Sequence, residues 1–254
     1  MKVLHTQAQL QSARESYEPY SRVALVPTMG ALHDGHLSLV KIAKSISDIT
    51  WVSIFVNPLQ FAPGEDFTKY PRTLDSDLEK LQVLNPDFVW APSVEEMYPF
   101  PPVLLQANKE LADCLCGLAR PGHFDGVVTV VNALFQQIKP NLAIFGEKDF
   151  QQLLIIKSMV QERNLPVEII SAPIIREESG LAMSSRNQYL SDSEKILTAN
   201  IYKELTAIKT SNTSVDSACK RLTELGFNID YLEKRWDRVF FAGKIGTTRL
   251  IDNL

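Results

Sequence analysis

Several short apolar runs punctuate the chain: RVALVP at 22–27, TWVSIFV at 50–56, DFVWA at 87–91, LAIFG at 142–146 and VEIIS at 167–171. They are too short for helices and rich in Val, Ile, Phe or Trp. Most end in Pro, Asn or Gly. That is the pattern of strands buried on both faces. Between them the apolar positions fall at helical spacing. Residues 36–47 bring Leu37, Val40, Ile42 and Ala43 near one face, and 74–84 repeat Leu74, Leu78, Leu81 and Leu84. Residues 126–138 and 149–163 are likewise amphipathic. Strand alternating with helix predicts an α/β fold, a parallel sheet with helices on both faces and right-handed crossovers.

The pattern changes after residue 172. SAPIIREESGLAMSSRNQYLSDSEK is polar and broken by Pro173 and Gly180. Its last residues, SDSE, read as a capping box, with Ser191 as N-cap and Glu194 reaching back, so a helix starts there. A second helix is expected over 214–225, and VFFAG and TRLID are strand-like. Residues 1–172 and 173–254 therefore read as a larger α/β domain and a small α+β domain.

Composition narrows the possibilities. The chain has 254 residues, enough for either arrangement to bury a core. A net charge of −4 argues against a broad basic face for nucleic acid. No run approaches the ~18 apolar residues that span a bilayer, and MKVLHTQAQL has no apolar core of signal-peptide length. The three cysteines, Cys114, Cys116 and Cys219, match neither a disulfide framework nor a zinc site. A cytoplasmic protein without membrane or nucleic-acid partners is expected.

The chemistry concentrates in PTMGALHDGH, 27–36. It follows a strand and opens a helix, where α/β proteins bind ligands and where free N–H groups suit phosphate. His33 and His36 lie three apart, on one side of the first turn. Gly30 permits a tight turn, and Gly35 leaves room for a flat ring. Three readings stand side by side: two donors to one anion, a local helix cap, or a pair of metal ligands. No third metal ligand follows from spacing.

HDGH matches the HxGH signature of the nucleotidyltransferase superfamily. With FVNPLQF (55–61), YPRTLDSDLEKL (70–81), RPGHFDGVVTVV (120–131), GEKDFQQL (146–153) and LAMSSRNQYLS (181–191), in that order, the chain resembles the pantoate–β-alanine ligase family over nearly its whole length. The resemblance implies a Rossmann-like nucleotide- and pantoate-binding domain over 1–172, and a small domain over 173–254 carrying the MSSRN loop. It implies two reactions. The pantoate carboxylate attacks the ATP α-phosphate to give pantoyl adenylate and pyrophosphate. The β-alanine amine then displaces AMP to give pantothenate. A carboxylate is already ionised at neutral pH, so the first step calls for positioning and charge neutralisation, not a base.

Carried over residue by residue, the ATP site comprises Met29, Gly30, Ala31, Leu32, His33, Asp34, Gly35, His36, Gly146, Glu147, Lys148, Asp149, Ile175, Met183, Ser184, Ser185 and Arg186. His36, His33 and Lys148 take the catalytic positions. Gln60 and Gln152 bind pantoate, Gln60 also meets the β-alanine carboxylate, and Arg120 and His123 lie near the triphosphate. Asn57 and Tyr70 are further pocket members. The segment holding Ser184–Arg186 joins the two domains, so its closing over ATP is an expected gating step. Mg²⁺ accompanies ATP. Asp75 and Asp77 could help hold it, or could simply stabilise a helix N-terminus; Ser76 alters the family's acidic pattern between them. No residue stands out as a base for the β-alanine amine. The family implies a homodimer.

The chain departs from the family at Leu115-Cys116-Gly117, where Leu-Glu-Gly is usual, and in a shorter C-terminal part, though GTTRLIDN is intact. An adenylyltransferase that stops after one transfer, and a nucleotide-binding protein without catalysis, are the competing readings. Retention of His33, His36, Lys148, Ser184, Ser185 and Arg186 argues against the second.

Overall fold

The computed structural model describes every residue except Pro63, and for Asp66 the backbone alone. It divides into two compact units, Met1–Glu147 with Gln151–Ala172, and Lys148–Phe150 with Pro173–Leu254. Lys148, placed by the sequence pattern in the first domain, thus belongs with the second body.

The first unit is built on six parallel strands: β1 (Lys2–Leu4), β2 (Val23–Thr28), β3 (Ile49–Ile54), β4 (Phe88–Trp90), β5 (Leu142–Gly146) and β6 (Glu168–Ala172), in the order β1-β4-β3-β2-β5-β6. The apolar runs became these strands within one or two residues. β1 was not anticipated, because three residues at an edge carry little pattern. Val23 through Val26 are all buried, as expected for a strand covered on both faces.

Helices α1 (Gln7–Arg14), α2 (Asp34–Ile46), α3 (Leu74–Gln82), α4 (Val94–Met97), α5 (Lys109–Ala112), α6 (Cys116–Ala119), α7 (His123–Ile138) and α8 (Phe150–Glu162) connect the strands. On one face, Leu39, Val40 and Ala43 of α2 and Leu81 of α3 pack on Ala24, Val26, Val52, Val89, Leu142 and Ile144. Removing one such leucine would cost about 2–5 kcal/mol. On the other face, the Trp90 indole N–H reaches Gln137 of α7 at 3.2 Å. The strand order reverses between β2 and β5, so the loops leaving these two strands flank the switch point where such sheets take ligands.

The second unit pairs α9 (Asp192–Lys209) and α10 (Val215–Glu224) with an antiparallel sheet of β7 (Asn228–Arg235), β8 (Arg238–Ile245) and β9 (Thr248–Asn253). The Ser191/Glu194 capping box is present at the start of α9. Ile201, Leu205, Ile208, Leu222, Phe241 and Leu250 form its core. β7 and β8 turn through Trp236 and Asp237, both at positive φ, the geometry of a tight hairpin turn. The polar IDYLEKR run had given β7 no clear strand signal.

Candidate active site

The loop after β2 is held from below. Thr28 Oγ donates to Ser53 O at 2.7 Å and accepts from Gly30 N at 3.2 Å. Gly30 sits at φ 80° and Ala31 at φ 50°, so the turn asks one alanine to adopt a left-handed conformation. Asp77 of α3 compensates. Its fully buried carboxylate accepts from Ala31 N at 2.9 Å, Leu32 N at 2.7 Å and Thr73 Oγ at 3.2 Å. The carbonyl of Leu32 accepts from Lys80 Nζ at 2.7 Å. Asp77 is therefore a structural clamp of the HDGH loop. The reading of Asp77 as a helper of Mg²⁺ is corrected: its oxygens face backbone donors inside the fold. Asp75, two residues earlier and on another face of the helix, is exposed.

His33 is the N-cap of α2, with Nδ1 accepting from Gly35 N at 3.2 Å. His36 completes a capping box, its Nδ1 accepting from His33 N at 3.4 Å. The rings lie 4.1 Å apart, centroid to centroid. The local-cap reading and the anion-donor reading are compatible. An Nδ1 that accepts a backbone N–H must carry a lone pair, so the neutral ring keeps its proton on Nε2. The cap thus makes each histidine an Nε2–H donor at a helix N-terminus.

Gln60 ends a short 3₁₀ turn, Pro58–Gln60, and is 8% exposed. Leu59 N donates to Asn57 Oδ1 at 3.2 Å, and so does the Tyr98 hydroxyl at 2.9 Å. That fixes the Asn57 amide: its Nδ2 donates to Gly126 O at 3.1 Å and Gln60 Oε1 at 3.2 Å. Gln60 in turn presents Nε2 as a donor, 2.9 Å from Met29 Sδ. Burial pushes the Tyr98 hydroxyl well above its usual range, so it remains a donor. Gly126 has no side chain because a Cβ there would collide with Leu59 O. The polarity of Gln60 is thus set by a chain that starts at Tyr98, a residue the sequence reading missed.

Arg120 and His123 also serve Gln60. His123 Nδ1 lies 2.8 Å from Gln60 O, and Arg120 Nη2 lies 3.3 Å from the same oxygen. Arg120 pairs with Glu65 through two 2.7 Å contacts. Burial works to raise the Glu65 pKa, but the Arg120 guanidinium outweighs it and holds the carboxyl below its ordinary value. Tyr70 is buried, with its ring 5.8 Å from Phe61.

The two glutamines that open α8 differ. Gln151 is buried and saturated: its Nε2 donates to Leu111 O and Cys114 O, each at 2.8 Å, and its Oε1 accepts from Cys116 N at 3.0 Å. It shapes the Cys114–Cys116 stretch. Gln152 is half-buried. Gly146 and Glu147, both half-buried, close β5.

In the second unit, Lys148 Nζ lies 3.7 Å from Asp149 Oδ2. Ile175 O accepts from Met183 N at 2.9 Å. Ser184 caps a 3₁₀ turn, Ser185–Tyr189, its hydroxyl accepting from Arg186 N at 3.3 Å. Ser184, Ser185 and Arg186 are half-buried. Among the described residues, no group of three or more His, Cys, Asp or Glu could hold a metal ion.

The family model for pantoate-β-alanine ligase matches residues 2–254. The pantothenate synthetase of Psychrobacter arcticus is 46% identical over 98% of this chain and 95% of its own. That of Acinetobacter baylyi is 48% identical over 91% and 90%. Among solved structures, the Francisella tularensis ligase, complexed with β,γ-ATP and β-alanine, superposes with a TM-score of 0.94 at 39% identity, covering 100% of this chain and 97% of its own. The Thermus thermophilus enzyme gives 0.90 at 40%, covering 100% and 99%.

Proposed function

The chain belongs to the pantoate–β-alanine ligase family, ATP-dependent enzymes that join pantoate to β-alanine in pantothenate synthesis, and on that premise we propose how its residues divide the work. Pantoyl adenylate forms first. His33 and His36 donate through Nε2 to the phosphates as charge develops, and His36 has the larger part. The ATP-binding residues carried over from the family are 29–36, Gly146, Glu147, Lys148, Asp149, Ile175, Met183, Ser184, Ser185 and Arg186. Lys148 supplies a full charge and Arg186 a planar fork for phosphate oxygens. These assignments make 1–172 the nucleotide- and pantoate-binding domain and 173–254 the carrier of the MSSRN loop.

Gln60 and Gln152 bind pantoate, a ligand with a carboxylate and two hydroxyls. The Nε2 donor of Gln60 suits that carboxylate and, in the second step, the carboxylate of β-alanine. Mg²⁺ enters as part of the MgATP substrate; hard oxygen ligands from phosphate and water suit it better than any protein cage here. The homodimer and the cytoplasmic location remain part of the reading. Cys114, Cys116 and Cys219 as thiols suit a reducing compartment, and among the described residues no helix is long and apolar enough to cross a membrane.

One observation carries this reading: two neighbouring histidines, rings 4.1 Å apart, whose Nδ1 atoms both accept from backbone N–H groups just after β2. The test is pantoate-dependent exchange of labelled pyrophosphate into ATP without β-alanine. Exchange is expected, and later addition of β-alanine should release AMP and pantothenate. ATP binding without exchange would overturn the adenylate route.

A further inference from the structure

We infer that Asn253, with Asp252 beside it, positions Lys148 and locks it to the segment that carries Ser184, Ser185 and Arg186. The inference rests on the reading of Lys148 and 184–186 as phosphate partners, and it assigns a role to the end of GTTRLIDN. All the groups involved lie within the second unit.

Asn253 is 1% exposed, and each end of its side chain is used. Nδ2 donates to the Lys148 carbonyl at 2.9 Å, while Oδ1 accepts from Arg238 Nη1 at 2.7 Å. Its own carbonyl accepts from Arg176 Nη2 at 2.8 Å. Asp252, also buried, accepts from Arg176 Nη1 at 2.7 Å and from Ala182 N at 3.2 Å through Oδ2, and from Asn253 N at 2.7 Å through Oδ1. Arg176 further donates to Gly180 O at 2.9 Å and lies 4.4 Å over the Tyr202 ring. The Arg238 guanidinium lies 4.2 Å over the Phe150 ring. Two consecutive residues at the end of β9 therefore grip the backbone at Lys148 and, two residues before Ser184, at Ala182.

The chemistry explains why position 253 is an amide. It must donate to a carbonyl and accept from a guanidinium at once. A carboxylate of the same size can only accept, and would face the Lys148 carbonyl with like polarity. A lysine side chain is long and flexible, so where its ammonium can reach depends on where its Cα is held. Here that point is referenced to the same anchor as the 184–186 segment. The two sets of phosphate partners keep their spacing because they share one support.

The test is a double-mutant cycle on pyrophosphate exchange, using Asn253→Asp, Lys148→Ala and the combination, with thermal melting of each. Asn253→Ser is the second variant should the aspartate fail to fold. Asn253→Asp should lower the exchange kcat roughly tenfold, a scale set by the cost of small misplacements, and leave the KM for pantoate within about twofold. Added to Lys148→Ala, it should cost nothing further. Multiplying losses, or a parallel rise in pantoate KM, would mark Asn253 as merely structural and overturn the inference. So would full activity of both Asn253 variants beside an impaired Lys148→Ala. Full activity of Lys148→Ala would instead overturn the phosphate reading of Lys148, and this inference with it.

Discussion

Two stretches are read here as handling phosphate, and they are held in different ways. The HDGH loop is organised largely by its neighbours: His33 caps the helix it begins, His36 closes the box three residues on, and Thr28 ties the turn. From further away, α3 reaches in with Asp77 on Ala31 N and Leu32 N and with Lys80 on the Leu32 carbonyl. The second set, Lys148 and 184–186, is capped locally by Ser184 but leans on residues far along the chain. Lys148 is anchored by a residue 105 positions later, and Ala182 by one 70 positions later. A motif that organises itself can be recognised from its own residues. One that borrows its geometry gives little sign of its partners.

That contrast can be broken at its strongest point first. His36→Ala should lower pyrophosphate exchange about a hundredfold or more, the scale of losing one transition-state donor. Near-normal turnover would leave His36 as a cap and nothing else. Asp77→Asn removes an acceptor from beneath the loop and leaves a buried backbone N–H facing an amide, a loss of about 1–3 kcal/mol. Exchange should fall roughly tenfold, in line with small misplacements of catalytic groups, and the melting temperature should drop. Excess Mg²⁺ should restore neither; rescue by Mg²⁺ would make Asp77 a metal ligand after all.

The pantoate side should respond more mildly. Gln152→Ala is expected to raise the KM for pantoate while ATP affinity holds. Tyr98→Phe, which frees the Asn57–Gln60 chain from one end, should raise it by only a few-fold. Equal loss of ATP and pantoate affinity in either variant would mean a packing defect. The smallest effect concerns Glu65. Its folded pKa lies below the ordinary 4.5, so its pairing with Arg120 stabilises the fold above that value and is lost as pH falls through the lowered one. Glu65→Gln should cost a little stability at neutral pH and flatten the acid side of the melting profile. An unchanged acid slope would remove the pair from the stability of the Gln60 support.

How much could be read in advance follows from the same physics. The strands at 23–28, 49–54 and 142–146 were legible because each is apolar on both faces and bounded by turn residues. Ser191 and Glu194 announced α9 because a capping box is complete within four residues. β1 and β7 were not legible: one is too short, and the other alternates charged residues on an exposed face. Asp77 looked like any acidic residue in a helix's first turn until its burial gave it another role. Only the family motif set Gln152 apart from Gln151; that Gln151 is buried and saturated by its own hydrogen bonds came from the structure.

By itself, the sequence determined the α/β alternation, the HDGH cap and the family, because periodicity, capping and motif order are properties of neighbouring residues. Only the tertiary structure decided that Asp77 is a clamp, that Tyr98 orients Gln60, and that Lys148 belongs to the body that ends in Asn253. Each of those is a hydrogen bond between residues about 40 or more positions apart. Such a bond depends on which surfaces burial brings together, and no local pattern records it.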